Sequence, residues 1–195
     1  MIGLVRYAAL IATAGLIACS VQKNEFDAED VKLVDTYVRS SLPDNKWGTE
    51  TRIIIGGWGD VYDGLITFDA KHMPKLKSGD KMLILLFNSS SGGKEVPSEM
   101  TVAAVMSDFS NGTNYTEAAN FRLGATRTVS PSAYGFWTEI DITPEYQAMQ
   151  TGEEVKGIVL VPLKDRSANQ FNSFHSSESS EVQHRPRLRV VRAPN

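Results

Sequence analysis

The sequence predicts an all-β protein, a jelly-roll β-sandwich of two antiparallel sheets with one short helical turn. Three observations carry that expectation. Short runs rich in Val, Ile, Thr and aromatics are bounded throughout by Gly, Pro, Asn, Asp and Ser clusters, the pattern of strands and tight connections. The turn clusters recur at roughly the 8–12-residue spacing of sandwich domains, and longer loops fit strands that alternate between two sheets. Helix-like signals are confined to one stretch, TPEYQAMQTG.

The elements follow in chain order. VDTYVRS alternates, with Val34, Thr36 and Val38 on one side and Asp35, Tyr37 and Arg39 on the other, as a half-buried strand does. SLPDNKWG is dense in turn formers, and TRIIIGG is a β-branched run. DVYDGLITFD reads as a strand with Gly64 inside it, and KHMPKLKSGD as a loop. KMLILLFN is apolar at nearly every position, so it is expected to be buried on both faces. After the loop SSSGGKEVPS, EMTVAAVMSDF forms a strand, and residues 110–132 form a long excursion around one weak strand. AYGFWTEIDI is an aromatic-rich strand, and Trp137 within it is expected in the core. In TPEYQAMQTG, Thr143 is expected at the N-cap, Pro144 at the first helical position and Gly152 just past the end. VKGIVLVPL and PRLRVVR supply the last clear strands, with a short one around Phe171–His175. That makes roughly eight or nine strands.

The first residues are set apart from the fold. MIGLVRYAALIATAGLIA carries an early cation, Arg6, and an apolar run that is short for a membrane span. It ends in Leu16-Ile17-Ala18-Cys19, which resembles the lipobox of bacterial lipoprotein signal peptides. That resemblance implies cleavage before Cys19 and acylation of its thiol. Ser20 in place of aspartate then favours outer-membrane delivery in Gram-negative lipoproteins. The expected organisation is a signal peptide over 1–18, a polar tether over 19–33 and a sandwich domain over 34–195. Cys19 is the single cysteine, so no disulfide can form within the chain. The formal net charge of -3 supplies no basic field, and a nucleic-acid partner is not expected.

Three stretches line up with one family: DTYVRSSLPDNKWGTETRIIIGGWGDVYDGLITFD, WTEIDITPEYQAMQTGEEVKGIVLVPL and FHSSESSEVQHRPRLRV. Together they resemble the DNRLRE-type β-sandwich domain, related to disaggregatase repeats and to carbohydrate-binding module family ninety-six. The matching positions include Asp35, Pro43 to Gly48, Phe68-Asp69, Trp137, Asp141 to Thr143, Phe174, Ser176, Glu178 and Arg185 to Val190. Ile142 and Trp47 stand where the family shows valine and tyrosine. The resemblance implies a sandwich that binds carbohydrate without catalysis. Some relatives bind acidic polysaccharides such as alginate, and others sit in cell-envelope proteins. It also marks Asp69, Asp141, Glu178 and Arg185 as structural positions, with Arg185 expected to pair with an acid such as Glu178 and pin the last loop.

Arg187 and Arg189 share one face of a period-2 strand, with Leu188 and Val190 on the other. They form either a cationic rail for uronate carboxylates, which guanidinium holds bidentately, or the charged side of an edge strand. Arg39 and Arg52, with Lys46, form either a second basic patch or a solvated face. Trp58, between glycines in GGWGD, either stacks on sugar rings or lids the sandwich, and Trp47 has the same two readings. Asp44, Asn45 and Asp60 offer oxygens for a structural Ca²⁺, or simply cap turns. The three histidines, His72, His175 and His184, show no H-x-H or H-E-x-x-H spacing. No G-x-S-x-G or P-loop pattern occurs.

The functional expectation is therefore a lipid-anchored envelope protein that binds polysaccharide, an acidic glycan first. The alternatives are a structural or adhesive envelope lipoprotein with a protein partner, and a polysaccharide lyase or hydrolase.

Overall fold

A computed structural model describes residues 24–57, 59–90, 97–163 and 170–194. The described chain forms eleven strands and two short helices: β1 (Glu25–Asp27), β2 (Val34–Arg39), β3 (Arg52–Gly57), β4 (Tyr62–Thr67), β5 (Lys81–Ser90), β6 (Met100–Val105), α1 (Tyr115–Ala118), β7 (Arg127–Val129), β8 (Trp137–Asp141), α2 (Thr143–Thr151), β9 (Gly157–Pro162), β10 (Gln170–His175) and β11 (Arg187–Val191). Every strand pairing is antiparallel.

The all-β sandwich is present, in a more connected form than two separate sheets. The ladder runs β1-β11-β5-β10-β3-β4-β9-β6-β7, with β8 on β5 and β2 on β4. β5 causes this continuity because it is ten residues long. Its first half pairs with β11, and its end pairs with β10 at Asn88 and Ser90. The other crossing is at Gly56, opposite Tyr62. Gly56 has φ +149°, and a Cβ there would lie 2.3 Å from the Gln170 carbonyl oxygen, so the β3–β10 approach needs glycine.

The curled sheet closes on one main core. From one side come Met82, Ile84 and Leu86 of β5, Ile140 of β8, and Leu188 and Val190 of β11. From the other come Ile53 and Ile55 of β3, Ile66 of β4, Met100 and Val102 of β6, and Ile158 and Leu160 of β9. Each set obeys the two-residue period of a pleated strand. β5 is buried on both faces from Met82 to Leu86, as its unbroken apolar run predicts.

The two outer faces differ. Behind β2, β4, β6 and β9 lies a second cluster of Val38, Leu65, Ala103, Val105 and Val159. Phe109, Tyr115, Ala118 and Phe121 pack on it, so the long excursion after β6 covers this face. The α1 turn within it is held by a capping box between Asn114 and Glu117. The outer face of β8, β5, β11 and β1 carries instead a layer of its own side chains.

Two expectations shift. Residues 25–27, inside the segment expected to be a tether, form β1 and pair Glu25 with Arg189 and Asp27 with Arg187. Helix α2 begins at Thr143 with Ile142 at the N-cap, because the Thr143 hydroxyl is engaged elsewhere. It accepts from the Met82 N–H at 2.9 Å, locking the helix start to β5. Gly152 closes α2 in the left-handed conformation as expected.

Candidate functional site

The open face is built by strand register. Arg187 stands between Asp27 and Leu85, and Leu85 faces Glu139. One step along, Arg189 stands between Glu25 and Leu83, and Leu83 faces Asp141. Leu83 and Leu85 are buried although they point outward. The alkyl stems of long charged neighbours shield such positions while keeping their heads in water.

The arginines are already engaged. Arg189 donates from Nε to Glu25 Oε1 at 2.6 Å and from Nη1 to Glu139 Oε1 at 2.6 Å. Arg187 pairs with Asp27 at 3.2 Å, donates to the Gln183 carbonyl at 2.8 Å, and places its guanidinium carbon 5.1 Å over the Trp137 ring. β1 thus carries Glu25 and Asp27 onto the arginine stripe.

Trp137 is not in the core. Ile140 and Ile142 point inward, and the parity of β8 sends Trp137, Glu139 and Asp141 to the outer face. There the half-buried indole meets Phe87 edge-on at 5.3 Å and 76°. Phe87 stacks on His184 at 3.8 Å and 8°, and meets His175 edge-on at 5.7 Å. In the loop before β8, Tyr134 and Phe136 are 63% and 65% exposed. Arg52 reaches the same face: it lies opposite His175 in the β3–β10 ladder and donates to the Ser89 hydroxyl. Arg52 is exposed and makes no ion pair among the described residues. Burial holds the His175 imidazole below its usual range.

Arg39 and Arg52 do not form one patch. Arg39 has the parity of Tyr37, which faces the core, whereas Arg52 is opposite in parity to core-facing Ile53 and Ile55. Arg39 donates to Asp60 at 2.5 Å and lies 5.0 Å from the Tyr62 ring centre. Lys46 is exposed and lies against Gly112 of the excursion. Trp47 stacks on Tyr37 at 5.3 Å and packs on the main core, which favours its structural reading. Trp58 and Cys19 lie outside the described residues.

Both carboxylates of the expected calcium set already accept hydrogen bonds. Asp60 Oδ2 accepts from Arg39 and from the Ser41 hydroxyl at 2.5 Å. Asp44 Oδ1 accepts from the Thr116 hydroxyl at 3.0 Å, and the Asn45 N–H closes a turn on the Leu42 carbonyl at 3.1 Å.

The family-motif residues do structural work. Asp69 Oδ1 accepts from the Lys71 N–H at 3.0 Å at the head of a 3-10 turn, Ala70–His72. Asp141 Oδ1 accepts from the Thr143 N–H at 3.0 Å. Partial burial works against the Asp141 carboxylate, yet the Thr143 hydrogen bonds and the Lys81 ammonium hold it below the usual range. Arg185 pairs with Glu29 at 2.7 Å rather than with Glu178, and donates to the Ser179 carbonyl at 2.8 Å. It still pins the last loop, but the acid comes from the N-terminal segment folded over it. Glu178 and Arg185 line the same cleft of about 260 Å³. Beneath them Asp35 accepts from the Ser177 N–H at 2.7 Å. Burial pushes its carboxyl up to about 6 despite that bond.

A larger cleft, about 460 Å³, lies between residues 124–127 and α2. Its charged lining is spent internally, since Arg127 grips Glu145 and donates to the Asp141 carbonyl at 2.5 Å. The aromatic and arginine-bearing sheet face is therefore the better candidate. Sequence reasoning missed Phe87, Trp137 and His184 there. Ile140 and Ile142 already carried the parity that turns Trp137 outward.

A β-sandwich with aromatic rings and arginines gathered on one sheet face has the form of a carbohydrate-binding module. The chain belongs to carbohydrate-binding module family 96, whose model matches residues 29–192. No curated protein matches it.

Proposed function

We propose that this protein binds polysaccharide without cleaving it, on the outer face of β8, β5, β11 and β1, while held in a bacterial cell envelope through lipid on Cys19. One observation carries the site: Trp137 lies half-buried on this face, edge-on to Phe87 and flanked by Arg187, Arg189 and Arg52. Sugar rings bury their C–H faces on such aromatics, and ring hydroxyls take hydrogen bonds from guanidinium and give them to Glu25 and Glu139.

Charge bears on the choice of glycan. A uronate reaching Arg187 or Arg189 must compete with carboxylates already bound there. Stacking and hydroxyl contacts then contribute most of the affinity. A second reading, an acidic glycan such as alginate, draws its support from Arg52, whose exposed guanidinium makes no ion pair among the described residues and donates to the Ser89 hydroxyl.

Affinity electrophoresis in gels holding alginate or a neutral glucan, each at two salt concentrations, separates these readings. We expect retardation by at least one glycan, and a roughly tenfold loss of affinity in Trp137→Ala, the equivalent of about 1.4 kcal/mol. Melting curves of the same samples test whether the variant is folded. Retardation in alginate that falls steeply with salt and is lost in Arg52→Ala supports the acidic reading, because exposed charges are screened over about 8 Å at physiological ionic strength. Equal mobility in both gels and in a blank gel overturns the glycan proposal.

A further inference from the structure

His175, Glu181 and His184 converge, although no metal-binding spacing announces them. Each offers one ligand atom, and these atoms all lie within 4.8 Å of one another. The convergence is tertiary. His175 ends β10, whereas Glu181 and His184 lie across the turn Val182–His184, three residues apart. We propose that these three side chains form a binding site for a divalent transition metal of the zinc class. It adjoins the glycan face at Phe87, but its test does not depend on the glycan reading.

The donor set selects the class of ion. Two imidazole nitrogens and one carboxylate oxygen suit zinc and its neighbours, whereas calcium and magnesium demand oxygen ligands. Zinc at about 2.0–2.1 Å from each donor places tetrahedral ligands about 3.3–3.5 Å apart. The donors already lie within 4.8 Å of one another, so side-chain movements of about 1.5 Å at most bring them to that spacing.

The donors are positioned by their surroundings. His175 is 5% exposed, and its Nδ1 lies 2.9 Å from the hydroxyl of Ser179, which is 2% exposed. The same hydroxyl accepts from the Glu181 N–H at 3.2 Å. This arrangement fixes the orientation of the His175 ring, the role that outer partners play for metal-bound histidine. His184 is clamped flat on Phe87, with Nδ1 2.9 Å from Glu181 Oε2. The Arg52 guanidinium, beside His175 in the ladder, opposes the ion. The Glu181 carboxylate offsets it. Three protein ligands leave a fourth position for water or another oxygen ligand.

Calorimetric titration of the full chain with zinc chloride tests the site, with the melting temperature followed in parallel. We expect one saturable equivalent and a raised melting temperature. Glu181→Gln and His184→Ala should each weaken binding by about tenfold or more and remove the thermal shift. His175 is buried, so His175→Ala is read only if it folds. The half-buried His184 and exposed Glu181 keep the test decisive in any case. Cobalt(II) in place of zinc should show the intense visible absorption of a tetrahedral site in wild type and lose it in both variants. Absence of saturable binding overturns the proposal. So does binding of equal strength in wild type, Glu181→Gln and His184→Ala, which would locate the metal elsewhere, such as at Cys19.

Discussion

At the scale of single residues, the burial of Asp35 has a measurable consequence. The carboxyl is 3% exposed, and its pKa is pushed up to about 6 chiefly by burial. A carboxyl whose folded pKa lies above its unfolded one holds its proton more tightly when folded, so stability falls as pH rises between about 4 and about 6. The gap corresponds to roughly 2–3 kcal/mol. Asp35→Asn keeps an oxygen for the Ser177 N–H and removes the ionisation. Urea midpoints measured from pH 4 to pH 7 should therefore decline in wild type and stay flatter in the variant. A parallel decline in both would show that another group is responsible. Arg189 makes the opposite point about exposed charge. An isolated surface ion pair contributes about 0–1 kcal/mol. Arg189 also covers Leu83 and separates Glu25 from Glu139. Arg189→Ala should cost about 1–2 kcal/mol by chemical denaturation. A change indistinguishable from zero would mean that the pairings contribute nothing to folding.

At the scale of elements, the short strands depend on single ties. β7 has three residues and lies at the end of the ladder. Its anchor is Arg127, which grips Glu145 of α2; Glu145 is 4% exposed. Removing one partner of a buried ion pair strands the other charge away from water, at a typical cost of about 3–5 kcal/mol. Arg127 is itself partly exposed, so Arg127→Ala is expected somewhat below that range, at about 2–3 kcal/mol. Replacing both partners, with Glu145→Gln added, should recover part of that loss in melting experiments. If the double variant is as unstable as the single one, the tie acts through packing rather than charge. β1 shows the same economy: three residues supply Glu25 and Asp27 to the arginine stripe.

At the scale of the whole molecule, the envelope setting remains a proposal that rests on Cys19. Among the described residues no helix is long and apolar enough to cross a membrane. In that proposal the acylated terminus carries the membrane association. Cys19→Ser should accumulate as unprocessed precursor or appear in the soluble fraction, read by mass spectrometry of the mature N-terminus and by fractionation. Normal maturation and unchanged membrane association would remove the anchor. The folded end of the chain is fastened independently. Asp80 accepts from the Lys77 and Ala193 N–H groups and from Arg192, and these bonds hold its carboxyl at about 2.

The sequence by itself determined the strands, because their identity is a local matter of two-residue alternation and turn chemistry. β2, β5, β6, β9 and β11 stand where their patterns predict, and Ile140 with Ile142 already carries the parity of β8. β1 was illegible, since three residues, EFD, hold no period and pair only because β11 is there to receive them. Tertiary structure alone decided which face stays open. Only the excursion after β6, packed through Phe109 and Phe121, removes one outer face from contention. It alone decided that Arg187 and Arg189 meet Glu25, Asp27 and Glu139, so that a stripe of cations becomes a balanced network. It alone brought His175, Glu181 and His184 together. Contacts of this kind depend on register between strands distant in the chain, and no local pattern encodes which residues a closing sheet sets side by side.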